Sequence, residues 1–509
     1  MYFVVVSIIE SLKNTDTSDG RPAYERYAEV ISTAIKDGQL KPGARLPTVR
    51  NLSTELGVSA TTVMSMYARL AEGGYTTGSP GRGTFVAGAG PGYAKVPVGA
   101  AVPVAAAPGV AWRRQALAEA ELRLRRRFPE AIDLTRGSPA RDLLPIQALQ
   151  RAWARAAETL TATQLQYPLT LTIDPMLSEA LLPRLAADGI DPAPESLLAM
   201  NSTQHFLSTL AMVLTRAVAV RPPIVAVEEP GYQTAMDTFE RAGCRLLGVP
   251  LDRFGATPDG VARAVAAGAD AVLLTPRALS PTGATWTEQR RRELAEVLAP
   301  ARHVWVVEDD YFAELAQTSV GSLGADPRLR DRTVYIRGFS KSISPDLRVA
   351  VGAVGANILP AMVEERSFCD GWTSSFTQRT LGIVLKDARL DDALQLAGAT
   401  YQEARARFVE VLGEPLQETA GGEVERTDSG LHAWVRLPHG CRASDVVQRC
   451  ASDGFLVTNG EPFFLAPGQR RHLRLNVGAG GATVAAGVAE SLMAAIGHSA
   501  GRSEFLYAP

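Results

Sequence analysis

Val304-Trp305-Val306-Val307-Glu308-Asp309-Asp310-Tyr311 is an apolar run that stops abruptly at three carboxylates and a phenol. Its length and composition describe a short strand. Acids at the end of a fully apolar strand are costly unless they serve a cation. The same pattern recurs on both sides. Ile224-Val225-Ala226-Val227 precedes a Glu-Glu-Pro-Gly-Tyr turn ending at Tyr232, and Ala271-Val272-Leu273-Leu274 precedes Thr275-Pro276-Arg277. Val334-Tyr335-Ile336 leads to Phe339-Ser340-Lys341. Amphipathic helical stretches alternate with these strands, so an α/β layered fold is predicted. Ligands in open α/β sheets sit beyond the carboxyl ends of strands. Four decorated ends therefore point to one converging pocket.

The chain has 509 residues, enough for two or three domains. Hydrophobic residues at 46% and charged ones at 21% exclude wholesale disorder, collagen-like repeats and coiled coil. The four cysteines lack CxxC spacing and the six histidines lack HxxxH or HExxH spacing, so neither a disulfide framework nor a metal site is expected. The apolar opening, residues 1–10, is too short to span a bilayer and has no basic n-region. A cytoplasmic protein without a membrane partner is expected.

One boundary stands out. Between Gly88 and Ala111, seventeen of twenty-four residues are Gly, Ala or Pro. Four prolines there prevent a continuous helix, which makes the segment a linker. The expected organisation is an extension over 1–20, a small domain over 21–87, the linker over 88–111, a large domain over 112–359, a smaller C-terminal α+β subdomain over 360–497, and a tail over 498–509. The net charge of −2 averages +3 for residues 21–87 and −5 for the rest.

In the small domain, Pro22-Ala23 opens a first helix with Tyr27, Val30, Ile31 and Ala34 at helical spacing. A second helix starts at Leu46-Pro47-Thr48 and stops at Gly57. Ser59 is a good N-cap for a third, on which Val63, Tyr67 and Leu70 share one face. A glycine-rich hairpin through Gly81-Arg82-Gly83 reads as a wing. The string L-K-P-G-A-R-L-P-T-V-R-N-L-S-T-E-L-G-V-S-A-T-T-V, residues 40–63, strongly resembles the GntR winged helix-turn-helix domain. That resemblance implies a double-stranded DNA operator as partner, met by Arg50, Ser59, Thr61, Thr62, Gly81 and Arg82. The position after Ser59, usually Arg in that family, is Ala60.

In the large block, Lys341 follows a strand and Arg348 comes seven residues later. Pyridoxal 5'-phosphate needs an amine, a carboxylate for its pyridine nitrogen, a phenol or amide near its O3', and a cationic phosphate cradle. Lys341, Asp309, Tyr311 and Arg348 supply that set. With the ordered strings P-G-Y (230–232), T-P-R-x-x-x-P-T-G (275–283), E-D-D-Y (308–311), F-S-K-x-x-x-P-D-L-R (339–348), G-L-H (430–432) and L-R-L-N-V-G (473–478), residues 130–495 resemble a fold-type I aminotransferase domain. Together with the GntR head, the arrangement resembles the MocR regulators.

The resemblance implies that Lys341 forms the Schiff base, Asp309 pairs with the pyridinium, Tyr311 meets O3' and Tyr232 stacks on the ring. Ser202, Thr203, Ser340 and Arg348 would hold phosphate, Ser280 would lie near O3', and Arg474 would fork onto the carboxylate of an amino-compound effector. Tyr167 would reach toward a partner subunit in a homodimer. Three positions depart from the aminotransferase pattern: Ser280 replaces Asn, Gly338 replaces a hydroxyl residue, and Ser202 replaces Gly. Each departure costs about 1 kcal/mol of cofactor binding if uncompensated. A regulator that senses an amino compound or the cofactor is the expected function. A working aminotransferase, and a DNA-binding dimer that has lost the cofactor, remain open alternatives.

Overall fold

Two side-chain caps set the helix-turn-helix. Thr48 accepts a hydrogen bond from the Asn51 N–H at 3.2 Å, and Ser59 accepts one from the Thr62 N–H at 3.1 Å. Each satisfies an amide that the first helical turn leaves open. The computed structural model describes residues 12–13, 22–37, 39–40, 43–72, 75–79, 83–86, 112–167, 173–419, 421–427, 429–479 and 481–505. The chain divides into two compact units, Met1–Ala106 and Ala107–Pro509.

In the first unit, α1 (Ala23–Lys36), α2 (Val49–Leu56) and α3 (Ala60–Glu72) are followed by β1 (Thr76–Ser79) and β2 (Gly83–Val86), an antiparallel hairpin. Gly57 ends α2 at φ 67°, the left-handed conformation that a glycine adopts without strain. Val63, Tyr67 and Leu70 are buried, as their spacing on α3 predicts. Leu12 joins the same core at 2% exposure, so the stretch expected to be an extension contributes to packing. Gly81, Arg82 and the linker over 88–111 lie outside the described residues.

The second unit begins with α4 (Trp112–Arg127) and β3 (Ile132–Asp133). Its main sheet contains β4 (Leu197–Met200), β5 (Ile224–Glu229), β6 (Arg245–Asp252), β7 (Gly255–Ala256), β8 (Ala271–Leu274), β9 (Trp305–Asp310), β10 (Thr333–Gly338) and β11 (Ala350–Val354). The strand order is β4-β11-β10-β9-β8-β5-β6-β7. Strands β10, β9, β8, β5 and β6 run parallel, and β11 runs against its neighbours. The four strands read from sequence are thus consecutive in the sheet, and their carboxyl ends meet on one edge. Helix α5 (Thr203–Ala217) begins just past β4 and brings its N-terminus to that edge.

A second sheet, ordered β12-β13-β16-β15, holds β12 (Glu423–Val424), β13 (His432–Arg436), β15 (Thr458–Asn459) and β16 (His472–Asn476). The helix α6 (Leu390–Gln417) links both cores. Its Leu390, Leu394 and Tyr401 pack in the core of the large sheet, while Phe408, Leu412 and Leu416 pack in that of the small one.

The division expected at residue 359 is corrected by these cores. Leu124 and Leu134 belong to the small core, and β3 pairs with β14 (Phe455–Leu456). Leu381 and Val384 belong to the large one. The chain therefore passes through the small subdomain before entering the large domain, because apolar side chains near residue 130 have their partners near residue 455. The last helix, α7 (Gly481–Phe505), takes in much of the expected tail. No helix among the described residues is long and apolar enough to cross a membrane, and no group of three or more His, Cys, Asp or Glu among them is placed to hold a metal.

Candidate functional site

Side chains alternate across a strand, and at the end of β9 this separates three acids. Glu308 and Asp310 turn to one face. Glu308 accepts hydrogen bonds from the Ser322 hydroxyl and from the Leu323 N–H at 2.9 Å. Asp310 accepts from Arg277 at 2.8 Å and from the Tyr335 hydroxyl at 2.7 Å. Asp309 turns to the other face. There it lines a cavity with Tyr232, Glu228, Leu273 and Thr275.

Asp309 is buried, and its Oδ1 has no hydrogen-bond partner among the described residues. Burial and the charge of Asp310 push its pKa up to about 7, against the pull of Lys341. Lys341 lies in the turn after β10 and donates to the Gly137 carbonyl. Burial and the positive charge of Arg474 push its amine down to about 8, while Asp309 opposes the shift. Glu228 is pushed up to about 8 by burial, with Thr275 bonding to it. An amine that loses its proton near pH 8 therefore stands within electrostatic reach of a buried carboxyl whose Oδ1 has no donor among the described residues.

Tyr311 donates its hydroxyl to the carbonyl of Ala278, a residue held at φ 54° in the loop after β8. Ser280 is buried in the same loop and Ser340 is half-buried beside Lys341. Tyr232 stands at the N-cap of the helix Gln233–Arg241. Ser202 caps α5, accepting from the His205 N–H at 3.1 Å. A Cβ on Gly338 would lie 2.8 Å from the Thr203 hydroxyl oxygen. The side chain missing at 338 thus leaves room that Thr203 uses, a physical reason for that departure.

Arg474, on β16, is buried with its Nη2 donating to the Thr135 carbonyl. Its guanidinium lies 4.9 Å from the centre of the Phe463 ring, and its Nε has no partner among the described residues. Burial lowers its pKa to about 10.

Two expected members are not brought to this group. Arg348 is exposed at φ 52° and donates to its own turn, to the Pro345 carbonyl at 3.4 Å. Tyr167 is 81% exposed and packs edge-on against Trp372.

Other residues escaped sequence reasoning. His432 is buried, its Nε2 has no partner among the described residues, and both that atom and Lys341 Nζ lie 3.7 Å from where a Cβ on Gly137 would stand. Behind β9, Arg277 and Arg337 share Asp188, and Arg337 also pairs with Glu314 at 3.3 Å. The G-L-H and T-P-R strings contained His432 and Arg277 without revealing these roles. Nothing local marked Gly137 or Asp188.

In the winged helix, Arg50, Ser59 and Thr61 are exposed. The Thr62 hydroxyl pairs with that of Ser59 at 2.8 Å.

Residues 130–489 match the family Aminotransferase class I and II, and residues 23–86 match Bacterial regulatory proteins, gntR family. The chain is 27% identical over 421 residues to the probable rhizopine catabolism regulatory protein MocR of Rhizobium meliloti, covering 82% of either chain. It is also 27% identical over 450 residues to the vitamin B6 salvage pathway transcriptional repressor PtsJ of Salmonella typhimurium, covering 87% of this chain and 92% of that one. Among solved structures, LysN, the alpha-aminoadipate aminotransferase of Thermus thermophilus, superposes with a TM-score of 0.63 at 24% identity, over 74% of this chain and 95% of that one. The chain belongs to the class I and II aminotransferase family and carries a gntR-family DNA-binding head, the two-part make-up of the MocR-type transcriptional regulators.

Proposed function

We propose that this regulator holds pyridoxal 5'-phosphate at Lys341 and alters how its DNA-binding heads engage an operator when an amino compound, or the cofactor itself, occupies that site. The observation that carries this reading is Asp309 Oδ1, buried beside Lys341 and lacking any donor among the described residues. A protonated pyridine nitrogen is the donor that such a carboxylate fits. When bound, the cofactor supplies an electrophilic carbon toward primary amines. Lys341 would hold it covalently, Tyr232 would cover its ring, and Tyr311 and Ser280 would border its O3' edge. Ser202, Thr203 and Ser340 would hold the phosphate. Arg474 would take the effector's carboxylate. The ligand acts as a signal by favouring one arrangement of the heads over another.

A homodimer is part of the proposal. Winged helices usually read paired half-sites, and the exposed aromatic side chains Tyr167, Phe368 and Trp372 offer apolar area to a second copy.

Protein purified with added cofactor should show a visible absorption band, and Lys341→Ala should abolish it. Lack of the band in the unaltered protein would sink the cofactor reading. Sustained multiple turnover with an amino-acid and oxo-acid pair would replace the sensor with an enzyme. Arg50→Ala should weaken operator binding and lower the salt slope by about 1. An unchanged slope would remove Arg50 from the DNA face.

A further inference from the structure

The recognition helix of a helix-turn-helix enters the major groove, with the residues of its N-terminal part nearest the base edges. In α3 the face that packing leaves free presents Ala60, Thr61, Met64 and Ala68, all exposed. Their spacing, i, i+1, i+4 and i+8, puts them on one side of the helix.

The chemistry of this face is unusual for a surface that meets a polyanion. From Ser59 to Ala68 there is no Lys, Arg, Asn, Gln, Asp or Glu. Guanine is read by Arg or Lys, adenine by Asn or Gln, and the cytosine amino group by Asp or Glu. None of those readers is present. Two of the hydroxyls engage each other: Ser59 accepts from the Thr62 N–H at 3.1 Å and pairs with the Thr62 hydroxyl at 2.8 Å. Met64 is 54% exposed, and it is the one large apolar side chain left exposed among the described residues of the head. Charge sits at the flanks. Arg69 lies in the last turn of α3, Arg50 is exposed on α2, and exposed Arg45 lies against Gly83 of the hairpin.

The major-groove feature that matches a hydrocarbon and thioether surface is the 5-methyl group of thymine. We propose that α3 reads its half-site chiefly through thymine methyls contacted by Ala60, Thr61 and Met64, so that the operator core is rich in A·T pairs, while the arginines at the flanks hold phosphate. This rests on the DNA-binding reading and adds to it the class of sequence that is recognised.

The test uses the full-length protein. Duplexes are first selected from a random DNA library. Each thymine of the selected half-site is then replaced singly by uracil, which pairs identically and lacks only the methyl. Replacements outside the half-sites serve as controls. Removing a contacted methyl should weaken binding about fourfold, from the burial of one carbon. At least two positions should respond, and Met64→Gln should abolish the response at one of them. Ala60→Arg should shift selection toward sites with a guanine in the core. Unchanged affinity for fully uracil-substituted half-sites, or selection of a G·C core by the unaltered protein, overturns the proposal and leaves DNA binding intact. Failure to select any duplex overturns both.

Discussion

Asp309 and Asp310 are neighbours in sequence and equally deep in the protein, yet their surroundings differ in kind. On the Asp310 face Arg277 pairs with Asp310 and Asp188, and Arg337 with Asp188 and Glu314, while Glu308 is held by the Ser322 hydroxyl and the Leu323 N–H. On the Asp309 face no ion pair closes among the described residues, although Asp309 and Lys341 act on each other's charge. Lys341 rests on a backbone carbonyl, Arg474 on a carbonyl and a ring, and Asp309 Oδ1 has no hydrogen bond among the described residues. Buried polar groups are normally satisfied. The face without ion pairs fits something that arrives, and the ion-paired face is scaffold, although Asp310 Oδ1 and Arg277 Nε there also lack hydrogen-bond partners among the described residues. The second supports the first, since both hang on the same strand.

The largest expected effect is on the scaffold side. Arg277→Met should lower unfolding stability by about 3–5 kcal/mol, because it leaves buried carboxylates uncompensated. Urea unfolding monitored by far-UV circular dichroism would read this. Asp309→Asn should change stability far less, while weakening cofactor retention about tenfold to a hundredfold, the worth of one hydrogen bond to a charged group. Equal losses of stability in the two variants would break the distinction between the faces.

Cofactor uptake by the apoprotein should rise with pH in two overlapping steps. Asp309 becomes anionic as pH passes about 7, and Lys341 loses its proton as pH passes about 8. Both changes favour uptake, so the rate should climb between them, and Asp309→Asn should remove only the lower step. A rate that falls with pH would show that the two groups do not control uptake. The smallest effect is expected at the rim. Gly338→Ser places a side chain within 2.8 Å of the Thr203 hydroxyl and should destabilise the protein by about 1 kcal/mol, with Thr203 moving aside.

The strand ends were legible in sequence because each is a local pattern, an apolar run closed by polar residues. This is why Lys341, Asp309 and Tyr232 could be named and why the four strands fall side by side. The caps of α2 and α3 were legible for the same reason. Pairings over long separations were not. Gly137 meets Lys341 across 204 residues, and Asp188 meets Arg337 across 149. No local signal encodes either encounter. The subdomain boundary failed similarly, since apolar residues near 130 do not announce partners near 455. Alternation alone assigns Glu308 and Asp310 to one face and Asp309 to the other, but only the packed sheet tells which face is open.

Helix α6 has a consequence of its own. It is one continuous rod of 28 residues with its first half embedded in one core and its second half in the other. Arg405, just past the crossover, donates through its guanidinium to the carbonyls of Thr282 and Thr427. Lys341 belongs to the body that grips the start of the rod and Arg474 to the body that grips its end. In the proposed site a small molecule held by both residues would bridge the two bodies that this helix joins, so its length from amine to carboxylate would bear on their spacing.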